Sequence, residues 1–474
     1  MLKVNLKKLN LLFTVSMLVT ACAQSPDSKQ AVNQFQPSIA TQKLLARNKM
    51  FDKQIYPVAD NVFVAIGYTV SANSMIVGDE GIIIVDPGNA PHFSQQVADE
   101  FSKITDKPIK AIIYTHSHGD HVGGAAAFYK ADQQIQVWAR DNFNSEERRN
   151  QETTFTSGAR PSNTQGFDLQ PQQKIGVGIA IPPAVRPAGS IMRDGQPSVQ
   201  ARPNRVQPTH TFASERQSLE IAGVKIELVK APGETDDQLY VWLPEERVLF
   251  AGDNFYQSWP NTYPLRGTAR RSVRDWIVSL TKMVKEKPLA VVAGHTTPIT
   301  ENAQQVLTNY RDGLKWVYDK TIEGAKKYMS PDELVEYVAL PPELADLDYL
   351  QDYYGSVEGT MRDIYAQDLG WFDGNPLNLH RENPIAEAER VALLAGGVSK
   401  LKTAARKAME NGDALGAAKL TFHILQLEPN NAEFNFLMAD ALALVGEKTF
   451  NAPARNYTIS SSNRYLKKAE SLSK

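Results

Sequence analysis

Apolar residues in the first half of the chain come in short, β-branched runs. Residues 61–67 (NVFVAIG), 74–77 (SMIV) and 81–85 (GIIIV) each predict a strand, and Gly78-Asp79-Glu80-Gly81 between the last two is a hairpin signal. Asp86-Pro87-Gly88 closes the group with a turn. Helical spacing follows over residues 92–104, then the apolar run 109–114 (IKAIIY), short enough for a buried strand. Strand-like runs resume at 219–229, 239–243 and 248–251. From about Asn309 the pattern turns helical, with helices expected at 399–410, 413–427 and 431–445, broken at Asn411-Gly412 and Pro429-Asn430. The GDALGAAKL…LEPNNAEF pattern resembles one tetratricopeptide unit, too little for a solenoid, so an interaction or dimerisation surface is the expected use.

Two stretches break the periodicity. Residues 23–42 are rich in Gln, Ser, Pro and Asn and read as a tether. Residues 148–205 are rich in Gln, Pro, Gly and Arg, a long irregular insertion that is functional or disordered. The order of strands, helix, insertion, strands and helices predicts an α/β layer sandwich, and no GxGxxG or Walker motif points to nucleotides.

Composition adds three limits. With 474 residues, 42% of them hydrophobic, the chain can bury a large core in two or three domains. A formal charge of −2 provides no long-range field to gather nucleic acid, so an anionic substrate must be attracted locally. Cys22 is the single cysteine, which excludes disulfides within the chain and thiolate metal sites. Ahead of it, Lys3, Lys7 and Lys8 precede an apolar run over 11–19, too short to span a bilayer and shaped like an export signal. Val19-Thr20-Ala21-Cys22 resembles a bacterial lipobox, with an ordinary secretory signal as the alternative. The expectation is an exported lipoprotein of the bacterial envelope, facing the periplasm or secreted, its membrane contact being the lipid on Cys22.

The chemistry concentrates in residues 115–124, THSHGDHVGG, which hold three of the chain's eight histidines. Imidazoles and carboxylates suit Zn²⁺. The His116/His118 pair can serve one metal, while Asp120 and His121, pointing the other way from the same turn, suit a second. Two coordination shells need more ligands than four side chains. Glu234 in APGET, Asp253 in FAGDN and His295 in VVAGHTTP meet that need, each where an apolar strand gives way to a polar loop.

With HxHxDH, a downstream PG-x-T segment, GD and a final GH, the sequence resembles metallo-β-lactamase-fold hydrolases over roughly residues 50–310. Glu234, where most members carry histidine, resembles the alkyl sulfatase branch. So do Asn261 with Leu265-Arg266-Gly267, and the passage YLQDYYGSVEGTMRDIYAQDLGWFDGNP. Asp253 departs from the glutamate common in that branch. Longer members continue into a sterol-carrier-like domain that this sequence does not reach, so less help in gathering long alkyl chains is expected.

The resemblance implies an αββα sandwich followed by an all-α dimerisation domain. The expected boundaries are a signal peptide at 1–21, a tether at 22–48, a catalytic domain at 49–315 with the insertion at about 148–210, and a helical domain at 316–460. It implies a homodimer and zinc-dependent hydrolysis of alkyl sulfates such as dodecyl sulfate by a metal-held hydroxide. His116, His118 and Glu234 would hold one zinc, Asp120, His121 and His295 the other, with Asp253 bridging. Asp120, Arg266 and Asn261 are the expected catalytic residues, and Tyr354 and Arg160 candidate substrate contacts. Trp371 and Phe372 are expected to pin a loop. Another dinuclear-zinc hydrolase, acting on lactones, lactams or phosphoesters, and a non-catalytic ligand-capturing lipoprotein are the alternatives.

Overall fold

The hydrophobic strands pair into two sheets whose inner faces make one core. The computed structural model describes residues 37–146, 160–180 and 205–474; Cys22, the N-terminal apolar run and most of the insertion lie outside the described residues. The first sheet has seven strands in chain order: β1 (Gln54–Ala59), β2 (Val62–Ile66), β3 (Asn73–Val77), β4 (Ile82–Val85), β5 (Ile109–Ile113), β6 (Gln136–Arg140) and β7 (His210–Phe212). It is antiparallel from β1 to β4 and parallel from β4 to β7. The second runs β12-β11-β10-β9-β8, built from β8 (Arg216–Ile221), β9 (Val224–Lys230), β10 (Leu239–Leu243), β11 (Val248–Phe250) and β12 (Ala290–Val292). Only its β11–β12 pair is parallel.

Alternation along each strand explains why these runs look uniformly apolar. Ile83, Val85, Ala111 and Ile113 of the first sheet meet Ile226, Leu228, Leu239 and Val241 of the second in the central layer. Their neighbours Ile82, Ile84 and Ile112 point outward onto Val97 and Phe101 of α2 (Pro91–Phe101), numbered after α1 (Ile39–Arg47). On the other side Tyr240, Trp242 and Leu249 face Trp276 and Leu280 of α5 (Val273–Lys285), which follows two short helices, α3 (Gly119–Val122) and α4 (Arg160–Gln165). Strands covered on both faces bury both sets of side chains, and no polar alternation is left to see. This is the αββα sandwich.

The outer cluster on the second sheet does not end at residue 315. It continues through α6 (Ala303–Lys326) and α7 (Pro331–Tyr337), and past α8 (Pro342–Ala345) to Met361 and Ile364 of α9 (Val357–Asp368). A separate helical core holds Ala392, Leu401, Ala417, Phe434 and Met438, from α10 (Pro384–Leu394), α11 (Val398–Glu410), α12 (Ala414–Leu427) and α13 (Ala432–Lys448). The last helix is α14 (Ala452–Leu472).

Sequence expectations are sharpened at three places. The stretch read as tether is already helical at α1, where Ser38 caps the helix and Leu44 and Arg47 are buried. Ser38 and Thr41 are held by Glu447 at the end of α13. The described part of the insertion is likewise ordered by long-range contacts: Asn456 and Arg455 of α14 donate to the carbonyls of Thr164, Gly176 and Gln173. Trp371 does not pin its turn but is 68% exposed, its ring edge-on to Phe372.

Candidate metal centre

Strand ends from both sheets converge on one spot. His116 and His118 follow β5, Asp120 and His121 lie on the single turn α3, Glu234 follows β9, Asp253 follows β11 and His295 follows β12. The sheets are tied together at this edge, where the Leu239 amide donates to the Thr115 carbonyl at 2.8 Å.

All seven predicted ligands are brought together. Asp253 is central, with Oδ1 3.2 Å from His121 Nε2, and Oδ2 3.1 Å from His295 Nε2 and 3.8 Å from His116 Nε2. Asp120 Oδ2 lies 3.6 Å from His295 Nε2, and Glu234 Oε1 lies 3.7 Å from His118 Nδ1. A tetrahedral shell with bonds near 2.1 Å puts neighbouring ligand atoms about 3.4 Å apart, so these separations fit a shared cation. The donor set passes a second test. His116 Nε2, His121 Nε2 and Asp253 Oδ1 are buried without a hydrogen-bond partner, although buried polar atoms are normally satisfied.

The other ring nitrogens are fixed, leaving the metal-facing ones bare. His295 Nδ1 donates to the Val70 carbonyl at 2.9 Å. His121 Nδ1 donates to Asp86 Oδ2 at 2.8 Å. The Thr115 hydroxyl gives its one proton to the same carboxylate at 2.7 Å, so it accepts from His116 Nδ1 at 3.0 Å. Asp86 thereby sets the tautomers of two candidate ligands. Glu146, also buried, faces His118 Nε2 at 3.4 Å. Neither carboxylate was named from sequence: Asp86 read as a turn residue, and Glu146 had no local signal.

The electrostatics favour cations. Burial resists charge on His121, but Asp253 and Asp86 outweigh it and hold its protonated form well above the usual histidine range. His295 is raised, again against burial, by Asp253. Burial works against ionisation of Asp253 as well, yet His295 and His121 hold its carboxyl well below the ordinary range. Protons and metal ions compete for such a cluster.

The centre opens into a cleft of about 330 Å³ lined by His118, Asp120, Glu234, Asp253 and His295 on one side, and by Arg266, Tyr354, Val70, Val177, Ile179 and Ala180 elsewhere. Arg266 Nη1 is 3.4 Å from the Tyr354 hydroxyl. The other two expected residues are placed differently. Asn261 is buried and does not line the cleft; its carbonyl accepts from Arg271 at 2.7 Å. Arg160 is exposed at the start of α4 and is not part of the cleft wall, which α4 reaches through Gln165 at its other end.

Two strand-end clusters of imidazole and carboxylate on an αββα sandwich define a metal-dependent hydrolase of the metallo-β-lactamase type. The Metallo-beta-lactamase superfamily profile matches residues 67–295, and the Alkyl sulfatase dimerisation profile matches residues 330–468. The chain is 32% identical over 405 residues to a linear primary-alkylsulfatase of a Pseudomonas species, covering 82% of this chain and 72% of that protein. It is 26% identical over 418 residues to the Alkyl/aryl-sulfatase BDS1 of Saccharomyces cerevisiae, covering 85% of this chain and 62% of the relative. The fold matches that of the stereoselective inverting sec-alkylsulfatase Pisa1 from Pseudomonas with a TM-score of 0.77 at 23% identity, over 93% of this chain and 70% of that one. The chain belongs to the alkyl sulfatase family.

Proposed function

We propose that this protein hydrolyses alkyl sulfate esters, dodecyl sulfate being the type, to the alcohol and inorganic sulfate at a centre of two zinc ions. The observation that carries this reading is the cleft, which sets a ligand cluster and a cationic Arg266 beside the apolar wall of Val177, Ile179 and Ala180. An anionic head on an aliphatic tail needs that combination of a planar cation and a dry surface. The alkylsulfatase relatives support the same substrate class.

In this reading His116, His118 and Glu234 would hold one zinc and Asp120, His121 and His295 the other, with Asp253 available to both groups. Bound zinc lowers the pKa of water toward about 7 and offsets the charge of the sulfate. Arg266 donates to sulfate oxygens, its guanidinium oriented by the Tyr354 hydroxyl. Asp120, half-exposed to the cleft, orients the attacking water by accepting its hydrogen bond. Val177, Ile179 and Ala180 take the first carbons of the chain and exclude water from the ester.

The test is sulfate release from dodecyl sulfate by zinc-loaded protein beside an Asp120→Ala control. Release that disappears in the control supports the reading. Turnover of a lactone or phosphoester without release from primary, secondary or aryl sulfate esters would overturn it.

The same reading includes export, a lipid on Cys22, and a homodimer. The lipobox-like Val19-Thr20-Ala21-Cys22 supports the first two, and a Cys22→Ala variant that still incorporates a palmitate analogue would refute the anchor. Among the described helices none is long and apolar enough to cross a membrane. The dimerisation profile and the exposed Leu377, Leu393 and Leu394 support the homodimer. Sedimentation showing only monomer at micromolar concentration would refute it.

A further inference from the structure

Glu234 stands where a histidine usually completes the first metal site, and the exchange raises a charge problem. Histidine offers one neutral nitrogen, whereas glutamate brings a negative charge and two oxygens. The two oxygens of Glu234 are divided. Oε1 faces His118 Nδ1, and Oε2 accepts from Arg271 Nη1 in an ion pair whose members are both only 2% exposed. Arg271 is anchored from a second direction, since the same nitrogen donates to the Asn261 carbonyl at 2.7 Å. Its Nε and Nη2 are buried without partners, and Glu234 is its one ion-pair partner among the described residues. A buried guanidinium is strongly unfavourable once its carboxylate is removed.

We propose that Arg271 is the positioning residue that makes glutamate a workable ligand here. By occupying Oε2 it limits Glu234 to a single coordinating oxygen. By cancelling the carboxylate charge it leaves the first site, made of His116, His118 and the Glu234–Arg271 pair, with the net charge of a three-histidine site. The two positions are therefore exchangeable only as a pair: histidine at 234 requires an uncharged residue at 271. This rests on the reading of Glu234 as a zinc ligand.

The test is a double-mutant cycle read by zinc stoichiometry and by competition against a chromophoric chelator, with unfolding of the metal-free proteins measured in parallel. Glu234→His should weaken the first zinc site about 10–100-fold, the range for a disturbed ligand environment. Glu234→His with Arg271→Met should recover to within about threefold of the original, about half a decade of binding. Glu234→His with Arg271→Lys should stay weak, because the charge remains although the fork is gone. If the Met double variant does not fold, Glu234→His with Arg271→Gln makes the same uncharged comparison. Failure of the uncharged double variants to recover, while Glu234→Ala loses one zinc, overturns the role of Arg271 alone. Glu234→Ala retaining both zincs at full affinity overturns the ligand reading itself.

Discussion

Asp86→Asn should damage both proposed metal sites, although Asp86 is not itself a candidate ligand. Asp86 is buried and accepts three hydrogen bonds: from the Thr115 amide at 2.9 Å on Oδ1, and from the Thr115 hydroxyl at 2.7 Å and His121 Nδ1 at 2.8 Å on Oδ2. Asparagine is nearly isosteric, and at φ +53° it is at least as comfortable as aspartate, so the backbone is not the variable. It has, however, one acceptor atom in place of two. If the amide nitrogen takes the Oδ1 place, it opposes the Thr115 N–H. If it takes the Oδ2 place, His121 must carry its proton on Nε2, the nitrogen that faces the centre, and the Thr115–His116 relay reverses. The first arrangement leaves a buried donor unsatisfied, and the second places a proton on the nitrogen that would have to face the metal, each at about 1–3 kcal/mol. That is about 10–100-fold in zinc affinity, agreeing with the usual loss when a carboxylate behind a ligating histidine is removed. Zinc competition titration measures it, and chelator-treated protein melted in parallel separates lost affinity from lost fold. Affinity within about threefold of the unmodified protein at both sites would refute the tautomer argument.

Burial pushes the Asp352 carboxyl up to about 7, against the opposing Val357 N–H bond, so its neutral form is favoured in the fold. The resulting stability is present in full below the unfolded pKa near 3.9 and is lost as pH rises through about 7. Asp352→Asn should therefore be more stable than the unmodified protein at pH 8, by about 1–3 kcal/mol, and equal to it at pH 4, as denaturant titration at both pH values would show. In Gly294→Ala the added Cβ would stand 2.0 Å from Asp253 Oδ1, so the protein should fold at a cost of about 1–3 kcal/mol yet lose zinc, measurable by elemental analysis. Arg47→Ala should raise KM for alkyl sulfates while zinc content holds, because Arg47 Nε donates to the carbonyl of Gly178, between two residues of the cleft wall; unchanged KM values across chain lengths would contradict this.

What could be read along the chain was what the chain makes locally. Each ligand sits at the end of an apolar run, and a strand buried on both faces advertises itself by that run, so His116, His118, Glu234, Asp253 and His295 could be placed without knowing which sheet held them. Asp86 could not: nothing in DPG tells a turn aspartate from one aimed at a histidine 35 residues on. Arg271 and Glu146 were hidden for the same reason, since burial and pairing are decided by tertiary packing. Asn261 and Arg160 stand apart from the cleft wall for reasons that are also tertiary: Asn261 is buried, with its backbone carbonyl accepting from Arg271, and Arg160 lies exposed at the start of α4.

The insertion shows most clearly how the two regions of the chain depend on one another. Residues 174–180 alternate Ile175, Val177 and Ile179 with glycines but pair with no strand among the described residues, and they form the apolar wall because several distant groups grip their backbone. Arg455 and Asn456 of α14 hold the carbonyls of Gln173 and Gly176, and Arg47 of α1 holds that of Gly178. Arg47 also lies 3.8 Å over the Tyr353 ring, beside Tyr354 of the cleft. None of these gripping residues belongs to the stretch that matches the metallo-β-lactamase superfamily. The sandwich carries the residues that would hold the metal, while segments before and after it hold the wall that would meet the alkyl chain. Substitutions in α1 and α14 should accordingly alter chain-length preference without altering metal content, whereas those at the strand ends should do the reverse.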